Sequence, residues 1–213
     1  MSTATSTPAA TSAAGLAGAP IPPLLPAYPE LYRFTVDQYE RMGDAGILTE
    51  DDRVELVEGL VYRKPMKKGP HAIAGRETAA ALTRQVPAQA YFVTREDPVS
   101  IPGRSGMPEP DVSVVRGQSR DYLEQPKASD VPLLAEVSGA TLAFDQGEKL
   151  LSYARGGIPV YWIVNLVDRR VEVYTGPGPD GYPHRQDYHP GDLVPIVLDG
   201  QEVGRVAVDE LLP

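Results

Sequence analysis

"VPLLAEVSGATLAFDQGEKLLSYARGGIPVYWIVN", residues 131–165, decides the fold. Leu133, Leu134, Ala135 and Val137 mark a buried strand, because a short apolar run of this length fills a sheet core. "AFDQGEKLLSYARGG" then reads as a helix ended by Gly156 and Gly157, and "PVYWIVN" as a second buried strand. One carboxylate, Glu136, stands inside the first strand with no cation within several residues on either side. An ionised carboxylate removed from water is costly unless it is paired or binds a cation, so Glu136 requires a partner from a distant part of the chain. A structural arginine and a metal ion are the two readings.

Working outward, "RRVEVYTG" follows through the tight "LVD" link and predicts a hairpin with the preceding strand. Upstream, "AYFVTRED", "PVSIPG" and "PDVSVV" read as strands separated by Gly and Pro. "HAIAGRETAAALTRQV" has small and apolar residues at helical spacing and is stopped by Pro87. "RVELVEGLVYR" predicts two short paired strands around Gly59 or one bulged strand. Thr35 stands three residues before Gln38 in "RFTVDQYERMGDAG", the capping-box spacing of a short helix. At the other end, "DLVPIVLDGQEVGRVAVDELLP" gives two short strands and a final apolar turn. This order predicts an α+β domain with a mixed central sheet.

Residues 28–213 are expected to form that single domain, and residues 1–27 a disordered tail. Met1–Pro26 has no charged residue and too little apolar mass to offset the entropy of ordering. Neither a secretory signal nor a membrane-spanning run is apparent, which predicts a cytoplasmic protein. The chain has no cysteine, so any metal must be held by oxygen or imidazole. A net charge of -9 argues against affinity for nucleic acid through a generally basic surface. A local basic patch survives that test: "YRKPMKKGPHAIAGR" carries Arg63, Lys64, Lys67, Lys68, His71 and Arg76 and no acid. Lys67, Lys68 and His71 are its candidate substrate-binding residues. A solvated loop is the plain alternative.

Three acids fall within or at the ends of apolar strands: Glu55, Asp111 and Glu136. Carboxylates from adjacent strands that converge need a divalent cation or a shared proton, and hard oxygen donors without thiolates match Mg²⁺ or Mn²⁺. Each has a plainer reading. Asp111 after Pro110 suits a turn or cap, and strand alternation does not decide whether Glu55 or Glu58 faces inward. Asp145 and Lys149 are spaced i,i+4, as in a helix-surface ion pair; alternatively Lys149 turns toward the acids. His184 and His189 lie in the Pro/Gly-rich "GPGPDGYPHRQDYHPGD", read as a loop and a weak metal signal.

"RFTVDQYERMGDAGILTEDDRVELVEG", "GPH", "PEPDVSVV" and the block from Asp130 to Pro177 together resemble, in order and spacing, the Uma2 family of putative restriction endonucleases, placed in the PD-(D/E)xK nuclease superfamily. The likeness runs from about Arg33 to the C-terminus. It implies a restriction-endonuclease-like mixed central β-sheet flanked by helices, with additional β-hairpins, and metal-assisted phosphodiester hydrolysis. It also implies nucleic acid, DNA first, as the partner, and a homodimer where both strands are cut. Carried over by residue, Pro110-Asp111 resembles the "PD" and Glu136 the second acid. With the backbone carbonyl of Val137 these would hold Mg²⁺ or Mn²⁺. Glu55 resembles the upstream acid of the fold, and His71 the family's histidine after the first strands. The superfamily's lysine position holds Ser138 here, and Lys149 in "DQGEK" resembles a migrated replacement. A non-catalytic binding protein on the same fold is the rival reading. A hydrolase of small phosphoesters is a third.

Overall fold

The strand at the centre of the molecule, β5 (Leu133–Ser138), is buried along its whole length and pairs on both sides. In the computed structural model, which describes residues 31–104 and 106–213, it lies third in a six-stranded sheet of order β3-β4-β5-β6-β7-β8. The others are β3 (Tyr91–Thr94), β4 (Val112–Arg116), β6 (Val160–Asn165), β7 (Arg170–Thr175) and β8 (His184–Tyr188). The β5–β6 pair is parallel and all other pairs are antiparallel, so the sheet is mixed as predicted. Tyr32–Pro213 form one compact unit. The tail expected over residues 1–27 lies outside the described residues.

A parallel pair needs a crossover, and the chain between β5 and β6 supplies one. It runs through α3 (Leu142–Phe144), a π-helical segment (Asp145–Lys149) and α4 (Leu150–Gly156). Gly157 ends it in the left-handed conformation, φ 79°, with its N–H on the carbonyls of Tyr153 and Ala154. This crossover covers one face of the sheet, where Leu134, Tyr153, Tyr161, Ile163 and Tyr174 form a core. On the other face, α2 (Gly69–Gln85), α5 (Val208–Leu211) and the hairpin of β9 (Leu193–Leu198) and β10 (Gln201–Ala207) enclose Val112, Leu133, Ala135, Val137 and Trp162. Side chains alternate across a strand, so β5 sends Leu133, Ala135 and Val137 to the second core and Leu134, Glu136 and Ser138 toward the crossover.

At the N-terminal side, α1 (Val36–Asp44) begins at Thr35 with both reciprocal bonds of the capping box to Gln38. The segment 53–63 forms two strands, β1 (Val54–Val57) and β2 (Leu60–Arg63), joined through Glu58 at φ 50° and Gly59 at φ 78°. Two positive φ angles are the mark of a type I′ hairpin turn. Backbone bonds between Leu56 and Met107 clip this hairpin to the segment that leads into Asp111.

Two elements differ from expectation. "PVSIPG" makes only isolated bridges, Ser100 to Lys127 and Ile101 to Gly106, because Pro98 and Pro102 interrupt any longer ladder. "HRQDY", read as part of a loop, is the edge strand β8. Its alternation is hidden because four of its five residues are polar and it lies at the rim of the sheet. Among the described residues no helix is long and apolar enough to cross a membrane.

Gly59 has a second reason to be glycine: a Cβ there would stand 2.6 Å from Arg33 Cβ and 3.1 Å from the Phe34 carbonyl oxygen. Gly59→Ala should therefore destabilise the domain by more than about 1 kcal/mol in urea unfolding, since it adds a clash to an unfavourable φ. The same substitution at Gly43, where a Cβ meets nothing, should leave the midpoint unchanged or raise it.

Candidate active site

Antiparallel register sets Val112 opposite Ala135, and this brings Asp111, just before β4, beside Glu136 on β5. The Val137 amide donates to Asp111 Oδ2 at 2.8 Å, and the Asp111 amide to Glu136 Oε2 at 3.4 Å. Asp111 Oδ1 faces Lys67 Nζ at 2.8 Å and His71 Nε2 at 3.0 Å, groups at the start of α2 and in the loop before it. The turn-residue reading of Asp111 is thereby replaced by a buried one. Burial would raise its pKa, but the bonds and charges of His71 and Lys67 outweigh it and hold this carboxyl well below the usual range.

Glu136 finds its cation from the crossover. Lys149 Nζ lies 2.9 Å from Glu136 Oε1 and 3.0 Å from Glu55 Oε2, and the Tyr153 hydroxyl donates to Glu136 Oε1 at 2.6 Å. The structural arginine expected as one partner is replaced by this lysine. Glu55, rather than Glu58, is the inward acid of β1: its Oε2 also accepts the Glu109 amide at 3.0 Å, while Glu58 sits in the hairpin turn and pairs with Arg104 and Arg155. Burial, with Asp111, Asp145 and Glu55 nearby, pushes the Glu136 pKa up to about 8 against the opposing pull of Lys149. Burial pulls Lys149 the other way, yet the three surrounding acids prevail and its pKa is raised.

The surface-pair reading of Asp145 and Lys149 is corrected. Both are buried, and Asp145 accepts the Ser138 hydroxyl at 2.7 Å. The cause is the π-helical turn over Asp145–Lys149, which widens the helix by one residue and turns both side chains inward. Burial also raises the pKa of Asp145. Ser138 thus anchors the turn that delivers Lys149.

Glu55, Asp111, Glu136, Lys149, Lys67, Lys68 and His71 all line one cavity of about 470 Å³, and Val137 lines it too. His184 and His189 do not line it. Sequence reasoning missed Tyr153, the inward role of Asp145, and Glu172. Glu172 is fully buried on β7 and gathers Asn165, Tyr174, Gln146, Arg170 and Arg185. Gln146 belongs to the π-helical turn, so Glu172 braces that turn from behind. Its position inside the apolar alternation of "RRVEVYTG" was the available signal.

The donors at this cavity are hard oxygens. Among the described residues no three His, Asp or Glu side chains converge closely enough to hold a metal unaided. Two carboxylates fit Mg²⁺ nonetheless, since this ion is usually held by one or two carboxylates together with water and substrate phosphates.

A model of the Uma2 family, described as "Putative restriction endonuclease", matches residues 36–206. The fold is similar to the crystal structure of a putative nuclease belonging to DUF820 from Anabaena variabilis. The TM-score is 0.61 at 19% identity, covering 84% of this chain and 97% of that one. No curated protein matches the sequence.

The raised Glu136 pKa has a sign. Between its ordinary value near 4.5 and about 8 the folded protein holds a proton that the unfolded chain releases, so this group's contribution to stability falls as pH rises through that window. Asp111 acts oppositely and lower: its contribution is present above the ordinary value of 3.8 and is lost as pH falls below it. Glu136→Gln does not titrate, so whatever the substitution costs by unpairing Lys149, the stability difference from the parent should move in the variant's favour as pH rises above the ordinary carboxyl value. Urea unfolding in chelator checks this, and a difference that stays flat with pH contradicts it.

Proposed function

This chain belongs to the Uma2 family, and from that premise we propose that it is a Mg²⁺- or Mn²⁺-dependent endonuclease hydrolysing phosphodiester bonds of nucleic acid. The observation that carries this reading is Lys149, whose ammonium is buried between Glu55 and Glu136 at the floor of the cavity. An irregular helical turn carries this lysine into a cluster of acids, and the high cost of burying a charge favours a role for it beyond packing.

Asp111 and Glu136, with the backbone carbonyl of Val137, would hold the ion. Bound there, it supplies charge neutralisation at the phosphate and acidifies the attacking water. Lys149 offers a fixed positive charge for the oxygen that becomes more negative as the phosphorus is attacked. Glu55 steadies Lys149 together with Glu136, and Tyr153 fixes the Glu136 carboxylate through its hydroxyl. Lys67, Lys68 and His71 draw the substrate's phosphate toward the cavity, where Lys67 and His71 already face Asp111.

A non-catalytic binding protein on the same fold would be favoured by a Lys149 directed into solvent. Its burial among the acids speaks for the enzyme.

With labelled DNA and RNA strands and either ion, Asp111→Ala and Lys149→Met should each lower the cleavage rate by about a hundredfold or more, with circular dichroism showing the fold retained. Full metal-dependent activity in Asp111→Ala would refute the assignment.

A further inference from the structure

The cavity has two kinds of lining. One carries the cations, with Lys67 and Lys68 beside His71. The other is apolar: Tyr62 and Phe144 pack with ring centroids 4.7 Å apart, and Met66, 82% exposed, stands at the mouth. At the floor, Glu55, Asp111, Glu136 and Lys149 are each only 3 to 5% exposed.

A duplex presents its phosphates on the outside of a stiff rod and keeps its bases stacked within. Its backbone would have to descend to acids that are almost closed from solvent, and the apolar lining would have nothing to meet. An unpaired strand differs on both counts. Its backbone is flexible enough to dip into a recess, and each free base has a face that stacks on aromatic side chains. A cavity of about 470 Å³ lies in the range that holds one small ligand or ligand-sized group, about 300–1,000 Å³. The charges agree. At this rim Lys64 is engaged by Glu109, and Lys67 by Glu96 and Asp111, on a chain of net charge -9. Among the described lining residues that leaves Arg63 and Lys68, a small number to displace the dense counterions of a duplex.

We propose that the substrate is an unpaired nucleic-acid strand, one base of which lies against Tyr62 and Phe144 while the adjoining phosphate faces Asp111 and Glu136. This rests on the nuclease reading for the chemistry, but the strand preference is measured apart from cleavage.

The full chain in chelator is titrated, by fluorescence anisotropy, into a labelled single-stranded DNA, an RNA of the same sequence, and the DNA as a duplex. Either single strand should bind at least tenfold more tightly than the duplex, and the two single-strand arms identify which sugar is taken. Phe144→Ala should weaken single-strand binding by about five- to a hundredfold, the range for losing one stacking partner. Phe144→Tyr, which keeps the ring, should bind like the parent, and a melting curve for each variant separates lost stacking from lost fold. Equal affinity for the duplex, no single-strand binding, or a folded Phe144→Ala that binds normally would each overturn the proposal. Single-strand binding without cleavage in Mg²⁺ or Mn²⁺ would remove the nuclease reading and support this one. Cleavage of the duplex as fast as the single strand would keep the nuclease reading and remove this one.

Discussion

The ammonium of Lys149, held between Glu55 and Glu136, is the interaction on which the rest of the site depends. Three acids from separate parts of the chain are brought into one buried region, and like charges so placed repel unless cations balance them. Lys149 supplies that balance at the floor, and Lys67 supplies it at Asp111, beside the His71 ring. Removing one member of such a buried pair typically costs about 3–5 kcal/mol, because the other is left charged and uncompensated. The positions of the hairpin, the central strand and the crossover are thus coupled through a single nitrogen.

Delivering Lys149 requires a helix that departs from regularity. The π-helical turn over Asp145–Lys149 places Asp145 on Ser138 and Lys149 on the acids. Several further contacts hold the turn in place. The Tyr161 hydroxyl bonds the Asp145 carbonyl at 3.0 Å, and Gln146 donates to Glu172 on β7. Packing on β6 and β7 therefore reaches the site through the backbone of the crossover, although neither strand contributes a side chain to the cluster of acids.

The sheet provides the other half of the arrangement. Because β4 and β5 are antiparallel neighbours, the residue before one strand lies beside the middle of the other, and the two acids meet through main-chain amides as well as through charge. The clip between Leu56 and Met107 brings Glu55 to the same place from a hairpin outside the main sheet. The cavity opens where these elements meet the basic loop before α2, so cations line its approach and acids its floor.

Much of this was legible in the sequence. Apolar runs marked β5, β6 and β7, glycine ended the crossover helix, the Thr35–Gln38 spacing identified α1, and the resemblance in order and spacing pointed to the family. Edge strand β8 was not legible, since an edge strand that faces solvent carries little apolar alternation. Nor could alternation choose between Glu55 and Glu58, because apolar residues follow both periods in "VELVEGLV"; the turn at Glu58 and Gly59 made the choice. What the sequence by itself determined is which segments are strands and helices and that Glu136 had to have a partner. That requirement comes from the cost of a buried charge, which holds whatever the fold. Only the tertiary structure decided that the partner is Lys149. The i,i+4 spacing of Asp145 and Lys149 predicts a surface pair on a regular helix, and the helix is irregular because Ser138, Tyr161 and Glu172, distant in sequence, hold its turn in another form.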